Sequence, residues 1–104
     1  MQDATDVTLL GRLTQTYQLV EGMVHAVGEG KKKLYVNFAP DWRNDFTIVV
    51  DRKALARFEA AGLAFDRLPG ARVRVRGWVE WWNGPIIAAS DPEQIEILKP
   101  APVL

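Results

Sequence analysis

The sequence contains no cysteine, a single histidine and a single serine. The lack of cysteine excludes disulfide bonds, thiolate metal sites and cysteine nucleophiles. A zinc site needs three or four converging ligands, and His25 stands alone on the outward parity of a predicted strand, so we expect no metal and no cofactor. Ser90 lacks the G-x-S-x-G surroundings of a hydrolase nucleophile. The sequence therefore predicts a protein that is not an enzyme.

The chain also lacks an excess of either charge and any long apolar segment. It carries 13 basic and 13 acidic residues, which argues against a strongly cationic surface but permits a local basic stripe. Its apolar runs are too short to span a bilayer, and no signal-peptide pattern opens the chain. With 104 residues, 48% of them hydrophobic, the composition is that of one soluble globular domain.

Three segments are predicted along the chain. Residues 1–18 form an N-terminal extension with a short helix over Val7–Leu13, for which Asp6 is the candidate N-cap. Residues 19–98 form the folded domain, in which alternating apolar and polar positions begin. Residues 99–104 contain two prolines and are expected to form a frayed tail.

The first half of the domain has a period of two and then changes to a helical period. Alternation predicts three strands, over Leu19–Val27, Leu34–Phe38 and Phe46–Val50. Asp51 is a candidate N-cap, because its carboxylate can accept hydrogen bonds from the free amides of a first helical turn. Leu55 and Phe58 then lie on one face of the predicted helix, and Gly62 is a natural C-terminal stop.

The last third of the chain predicts a β-hairpin. Asn83-Gly84 is a strong hairpin signal, because both residues tolerate positive φ. The returning strand is expected to be broken at Asp91-Pro92, which divides it into Ile86–Ser90 and Gln94–Leu98. On the preceding strand we expect Trp81, like Phe38, to lie in the core, and Gly77 to mark a bulge or a sharp bend.

Three strands, one helix and a hairpin with a broken second strand give the order β-β-β-α-β-β. This is the order of a five-stranded OB-fold barrel, whose helix caps the open end. We therefore predict a mostly β OB-fold domain over residues 19–98. The local patterns also permit another small α+β sheet.

Residues 20–98 resemble a small bacterial OB-fold domain that is associated with thermonuclease-like (staphylococcal-nuclease-like) proteins. The matching segments are VEGMVHAVG (20–28), LYVNFAPDWRNDFTIVV (34–50), RFEAAGL (57–63), GARVRVRGWVEWWNGPII (70–87) and DPEQIEIL (91–98). The resemblance implies a nuclease-associated module of the bacterial cytoplasm, or of the periplasm if a leader has been removed. The D-G-D-T-like carboxylate segment of thermonuclease is absent, so nuclease activity is not carried over.

Cations beside aromatic residues form the candidate binding surface. Basic side chains can pair with phosphates and aromatic rings can stack on bases, and OB folds bind ligands on their second and third strands and the adjoining loops. The glycine and lysine segment 28–33 lacks the spacing of a P-loop. We predict weak binding of single-stranded DNA or RNA by Lys31, Lys32, Lys33, Tyr35, Asn37, Trp42, Arg43, Arg74, Arg76, Trp78 and Trp82.

The same residues allow other interpretations. If Asn83-Gly84 is a two-residue turn, Arg76 faces Asp91 and Arg74 faces Glu93, and cross-strand ion pairs would neutralise the arginines. Exposed tryptophans at the hairpin would also suit a protein partner or a homodimer, which gives a protein-interaction or self-association module. An oligosaccharide ligand is the further alternative for an OB barrel.

Overall fold

The computed structural model describes residues 1–41 and 45–102 of the chain. Two short helices, α1 (Val7–Arg12) and α2 (Leu55–Ala60), accompany the sheet. Its strands are β1 (Gln2–Asp3), β2 (Tyr17–Met23), β3 (Ala26–Glu29), β4 (Lys33–Asn37), β5 (Thr47–Asp51), β6 (Arg72–Trp81), β7 (Pro85–Ala89) and β8 (Ile95–Lys99). Single 3-10 turns lie at Arg52–Ala54, Phe65–Arg67 and Pro92–Gln94.

The sheet curls into a barrel because one bent segment of chain belongs to both of its ends. The strand order is β1-β2-β6-β7-β5-β4-β3, with β8 also paired to β6. Only Val24 and His25 separate β2 from β3, so the predicted first strand is a single strand broken by a sharp bend. If β2 with β3 and β7 with β8 are each counted as one broken strand, and the two-residue β1 is left out, five strands form the barrel, with β5 and β7 parallel. The predicted OB-fold class is confirmed.

The returning strand of the hairpin is broken as predicted. β7 pairs with the end of β6 and β8 pairs with its beginning. At the break, the Asp91 carboxylate accepts a hydrogen bond from the amide of Glu93, and Gln94 Oε1 accepts one from the amide of Asp91. This capping box explains why Asp91-Pro92 interrupts the strand.

The predicted hairpin register is wrong by one residue. Val79 pairs with Ile87 and Trp81 with Pro85, so the turn has three residues, 82–84. Asn83 and Gly84 have the predicted positive φ values, 55° and 128°. The additional turn residue is Trp82, the first of the three, and its amide donates to the carbonyl of Gly84 at 2.8 Å.

The arginines of β6 meet acidic residues other than the predicted Asp91 and Glu93. Arg74 lies 3.5 Å from Glu21 of β2 and 3.6 Å from Glu96 of β8. Arg76 lies 3.7 Å from Glu96, and Arg72 lies 3.8 Å from Glu21. Ion pairing does occur, but it crosses to β2 and β8 because β6 is a central strand at this point.

The core lies between the sheet and α2, and the N-terminal segment contributes to it. Phe58 of α2 is fully buried and contacts Phe65 with ring centroids 5.2 Å apart. Leu10 of α1 is also fully buried, and the Asp6 carboxylate accepts from the amide of Leu9 at 3.1 Å, which is the predicted N-cap. The predicted stop at Gly62 has a φ of 87°.

Phe38 is buried as predicted, but the prediction that Trp81 lies in the core is wrong. The side chain of Trp81 is 63% exposed. Val79 is the last inward residue of β6 that is buried, two positions before Trp81. The indole lies against α1, where a β-carbon placed on Gly11 would be 3.2 Å from Trp81 Cζ3.

Candidate functional site

A cavity of about 260 Å³ lies on the outer face of β4, β5 and β7, next to the 82–84 turn. We call it the groove. Its lining combines aromatic, polar and aliphatic side chains, which are Tyr35, Asn37, Thr47, Val49, Trp82, Asn83 and Ile86. In an OB barrel this position corresponds to the second and third strands and the turn between the fourth and fifth.

Strand register places these side chains on one face. Tyr35 is opposite Val49, and Asn37 is opposite Thr47, in the antiparallel pair β4 and β5. Thr47 is in turn the neighbour of Ile86 in the parallel pair β5 and β7. The Thr47 hydroxyl donates to Asn37 Oδ1 at 3.3 Å, and Val49 is 5% exposed. The groove therefore has an apolar floor and a polar end.

Two aromatic rings form the most distinctive part of the groove. The rings of Tyr35 and Trp82 are stacked, with centroids 6.4 Å apart and planes inclined by 22°. Trp82 is 55% exposed. A β-carbon placed on Gly30 would lie 3.2 Å from Tyr35 Cε2, so glycine lets the β3–β4 loop approach the phenol ring. Tyr35 thus connects that loop to the hairpin turn.

Cations gather at the β3–β4 loop, which leads into β4. Lys31, Lys32 and Lys33 are exposed, as predicted for a turn. The first two line a recess of about 300 Å³ together with Asp51, Arg52 and Lys53, of which the two basic residues were not among the predicted site residues. Lys33 pairs with Asp51 across β4 and β5, so the residues that follow Asp51 are brought beside the lysine run. The predicted N-cap at Asp51 was the sequence signal from which the position of Arg52 and Lys53 beside the lysine run could have been inferred.

Arg52 is partly engaged within this cluster. Its Nε donates to the carbonyl of Gly30 at 2.8 Å, and its guanidinium lies 3.8 Å from Glu29. The backbone of Arg52 also donates to the carbonyl of Lys32 at 2.9 Å. These bonds hold the two loops together. The lysine side chains of the cluster are exposed, and so are the carboxylates of Glu29 and Asp51.

The structure does not bring every predicted site residue to the groove. Arg74, Arg76 and Trp78 lie on β6 where it pairs with β2 and β8, whereas the groove is on β4, β5 and β7. Trp78 contacts Tyr17 of β2 edge to face, with centroids 5.8 Å apart. Two further predicted residues, Trp42 and Arg43, lie outside the described residues.

Asp45 is a buried carboxylate behind the groove, with 2% of its surface exposed. Its two oxygens lie 3.0 and 3.1 Å from the amide nitrogen of Phe38, which donates to them. Burial raises the pKa of the Asp45 carboxyl to about 6, against the lowering effects of amide hydrogen bonds from Phe38, Ala39 and Phe46 and of the charge of His25. A β-carbon on Gly84 would lie 3.0 Å from the Asp45 carbonyl, so this residue also abuts the hairpin turn.

The raised pKa of Asp45 predicts that the protein loses stability as the pH rises from about 4 to about 6. In this window the unfolded chain has released the proton while the folded chain retains it. The free energy of unfolding should therefore fall by up to about 3 kcal/mol and then level off above pH 6. Urea denaturation at a series of pH values measures this slope.

Asp45→Asn is the control, because the amide keeps the shape and one acceptor oxygen but does not titrate. Its stability should lack the component that falls between pH 4 and pH 6. The lowered pKa of Asp3, caused first by the hydrogen bond from the amide of Thr5, is common to both proteins and cancels in the difference. If the stability of the wild type relative to Asp45→Asn rises between pH 4 and pH 6, the effect of the amide hydrogen bonds on the Asp45 carboxyl outweighs the effect of burial.

Within residues 1–41 and 45–102, no group of three or more histidine and acidic side chains is placed to hold a metal ion. In the same residues, no helix has both the length and the apolar character needed to cross a membrane.

Comparison with known proteins defines the class of fold. No family model matches the chain, and no curated protein matches it. OBody AM3L09, solved bound to hen egg-white lysozyme, is similar with a TM-score of 0.63 and 21% identity over 97% of this chain and 96% of that one. Aspartyl tRNA synthetase from Entamoeba histolytica is similar with a TM-score of 0.66 and 11% identity, over 96% of this chain and 22% of that one. For the S. pombe Stn1-ten1 complex the TM-score is 0.54 and the identity 15%, over 79% of this chain and 57% of that one.

At these identities the likeness shows the fold alone. Together with the barrel topology, it makes the chain an OB-fold domain. The chain spans about a fifth of the synthetase and nearly the whole of the OBody.

Proposed function

We propose that the groove binds single-stranded nucleic acid. The observation that carries this proposal is the stacked, solvent-accessible pair of Tyr35 and Trp82 on the ligand face of an OB barrel. Aromatic rings stack on bases of any sequence, because every base has a π face. We expect the bound nucleic-acid strand to run from this pair toward the lysines of the β3–β4 loop, whose ammonium groups contact its phosphates.

Polar groups in the groove complement the stacking. The side-chain amides of Asn37 and Asn83 and the hydroxyl of Thr47 line it and can hydrogen-bond base edges. The binding requires no catalytic group, and we propose that the protein acts without chemistry of its own. Arg74, Arg76 and Trp78 are not part of this interface.

The comparisons support the proposal at the level of fold. Two of the similar structures are aspartyl tRNA synthetase from Entamoeba histolytica and asparaginyl-tRNA synthetase from Pyrococcus horikoshii, and a third is the S. pombe Stn1-ten1 complex. The sequence resemblance to thermonuclease-associated bacterial domains extends it: a groove for single strands would hold the substrate of a nuclease that acts elsewhere.

A protein ligand is the second candidate for the same groove. Trp82 in the groove is 55% exposed, and the similar OBody was solved bound to a protein, lysozyme. Large exposed aromatic side chains favour protein contacts as well as bases. If the ligand is a protein, its binding should quench tryptophan emission, and added oligonucleotides should not displace it.

Titration with labelled oligonucleotides tests the nucleic-acid proposal. We expect saturable binding of single strands in preference to duplexes, with quenching of tryptophan emission. Since each phosphate contact contributes about −0.7 to the slope of log K against log salt for single strands, three lysines predict a slope of about −2. Affinity that is unchanged between low and moderate salt would contradict the phosphate contacts.

A triple variant, Lys31→Gln with Lys32→Gln and Lys33→Gln, should bring that slope close to zero. The matched control removes three exposed charges outside the groove, Arg12→Gln, Arg57→Gln and Arg67→Gln, on α1, on α2 and on the turn that follows α2. An equal loss of slope in the control would mean that net charge, and not the lysine loop, drives binding.

A further inference from the structure

A second aromatic pair lies on the part of the sheet that does not line the groove. Tyr17 of β2 and Trp78 of β6 are opposite each other in register and contact at 82° between ring planes. They are 54% and 60% exposed, and the neighbouring Leu19 is 38% exposed. We call Tyr17, Leu19 and Trp78 the β2–β6 patch.

The fold itself does not account for this patch. Trp78 points away from the barrel, since its neighbours Gly77 and Val79 are the buried residues of β6 at this point. An aromatic pair on an outer sheet face stabilises the sheet only modestly. Three contiguous apolar side chains in water, bordered by polar residues, suit the centre of a docking surface.

The charges beside the patch favour a protein occupant over nucleic acid. Arg74 and Arg76 lie 3.5 to 3.7 Å from Glu21 and Glu96, so part of their positive charge is offset. The outward charges of β2, β6 and β8 are four cations, Arg72, Arg74, Arg76 and Lys99, and three glutamates, Glu21, Glu80 and Glu96. An excess of one positive charge gives a phosphate backbone little net attraction there.

A surface that alternates in sign is complementary to its own copy. Two copies related by a two-fold axis meet through the same residues, so each arginine can approach a glutamate of the other copy. The right-angled ring pair has the same property, because it offers both an edge and a face to an identical pair. The chain as a whole carries no net charge that would oppose association.

We propose that the β2–β6 patch is the interface of a homodimer, in which the Tyr17–Trp78 pairs of two copies pack against each other. With aromatic side chains of 150–250 Å² each, about half of it exposed, the patch offers roughly 250–300 Å² of apolar surface. A stable dimer buries about 800 Å² per partner, with an apolar centre and a polar rim. The patch suits the centre and the glutamate–arginine rows suit the rim.

This inference does not depend on what the groove binds. In such a dimer both grooves stay open, because they lie on β4, β5 and β7. A dimer would then engage a long oligonucleotide through two linked sites and bind it more tightly than a short one.

Sedimentation velocity of the full chain from about 1 μM to about 500 μM tests the dimer, a range that covers weak association. We expect a concentration-dependent shift from monomer to dimer. Trp78→Ala should raise the dimer dissociation constant about tenfold or more, as for the truncation of a central aromatic residue. Trp82→Ala, which removes an equally exposed tryptophan from the groove, should leave it unchanged.

Leu19→Glu is the second variant, since it adds like charges across the two-fold axis and keeps both aromatic rings in place. It should also give a monomer, with an unfolding transition near that of the wild type. A protein that stays monomeric at about 500 μM would overturn the proposal, as would a dimer that Trp82→Ala disrupts equally. So would a monomeric protein whose oligonucleotide affinity falls on Trp78→Ala, which would make the patch a nucleic-acid surface.

Discussion

Replacement of Trp82 by alanine is expected to weaken the binding of single-stranded oligonucleotides about 10- to 100-fold. Stacking of a base on an aromatic side chain contributes about 1–3 kcal/mol by alanine substitution. Tyr35→Ala should have an effect of similar size, because the two rings are stacked and a base that contacts one is placed by the other. Fluorescence anisotropy at a single fixed salt concentration measures the change.

Trp81→Ala is the matched control for this experiment. Trp81 is the adjacent residue and is 63% exposed, but its ring lies against Gly11 of α1. Its removal should leave affinity unchanged. Tyr35→Phe keeps the ring and loses only the hydroxyl, so it should bind nearly as well as the wild type. Equal losses for Trp81→Ala and Trp82→Ala would show that the bases do not stack in the groove.

Gly77→Val should destabilise the fold by about 4 kcal/mol, which is above the usual cost of overpacking. A β-carbon at position 77 would lie 2.6 Å from Cγ2 of Ile87 and 3.3 Å from Nε2 of Gln94. Ile87 is fully buried and cannot move aside without disturbing its neighbours. The glycine is thus required by close packing at β7, and the irregularity of β6 lies instead between Arg72 and Val73.

The double variant with Ile87→Ala separates this clash from a general effect of valine at position 77. Ile87→Ala alone should cost about 2–5 kcal/mol through the cavity that it leaves. The β-carbon of residue 87 lies 4.0 Å from the β-carbon position of residue 77, so Gly77→Val can fill the space that Ile87→Ala vacates. We expect urea denaturation to show a double variant more stable than the sum of the two changes, by about 1–3 kcal/mol. Additive losses would place the cause elsewhere.

Features of the fold that depend on a few neighbouring residues were predictable. Asp6 caps α1 and the Asp91-Pro92 capping box breaks the last strand, because a side chain bonds an amide two or three residues away. The hairpin register was not predictable in the same way. Asn83-Gly84 occurs in two- and three-residue turns, and inclusion of Trp82 in the turn shifts every pair on β6 and β7 by one.

In the candidate site, too, the features that depend on one strand were predictable, and those that depend on strand pairing were not. The outward positions of Tyr35 and Asn37 follow from the alternation of β4 alone. That Tyr35 stacks on Trp82, 47 residues further along the chain, depends on the parallel pairing of β5 with β7, which carries the hairpin turn to the edge of β4. Likewise, Arg52 and Lys53 join the lysine loop only because β4 and β5 pair.

The sequence by itself determined the order of the main strands and helices, the caps, and which side of most strands is polar, but not β1 or the break between β2 and β3. These properties depend on propensity, period and local hydrogen bonds. Tertiary structure alone decided which polar faces become neighbours. It put the arginines of β6 between Glu21 and Glu96, exposed Trp81, and assembled the groove from three strands and a turn, because barrel closure brings together residues that the chain separates.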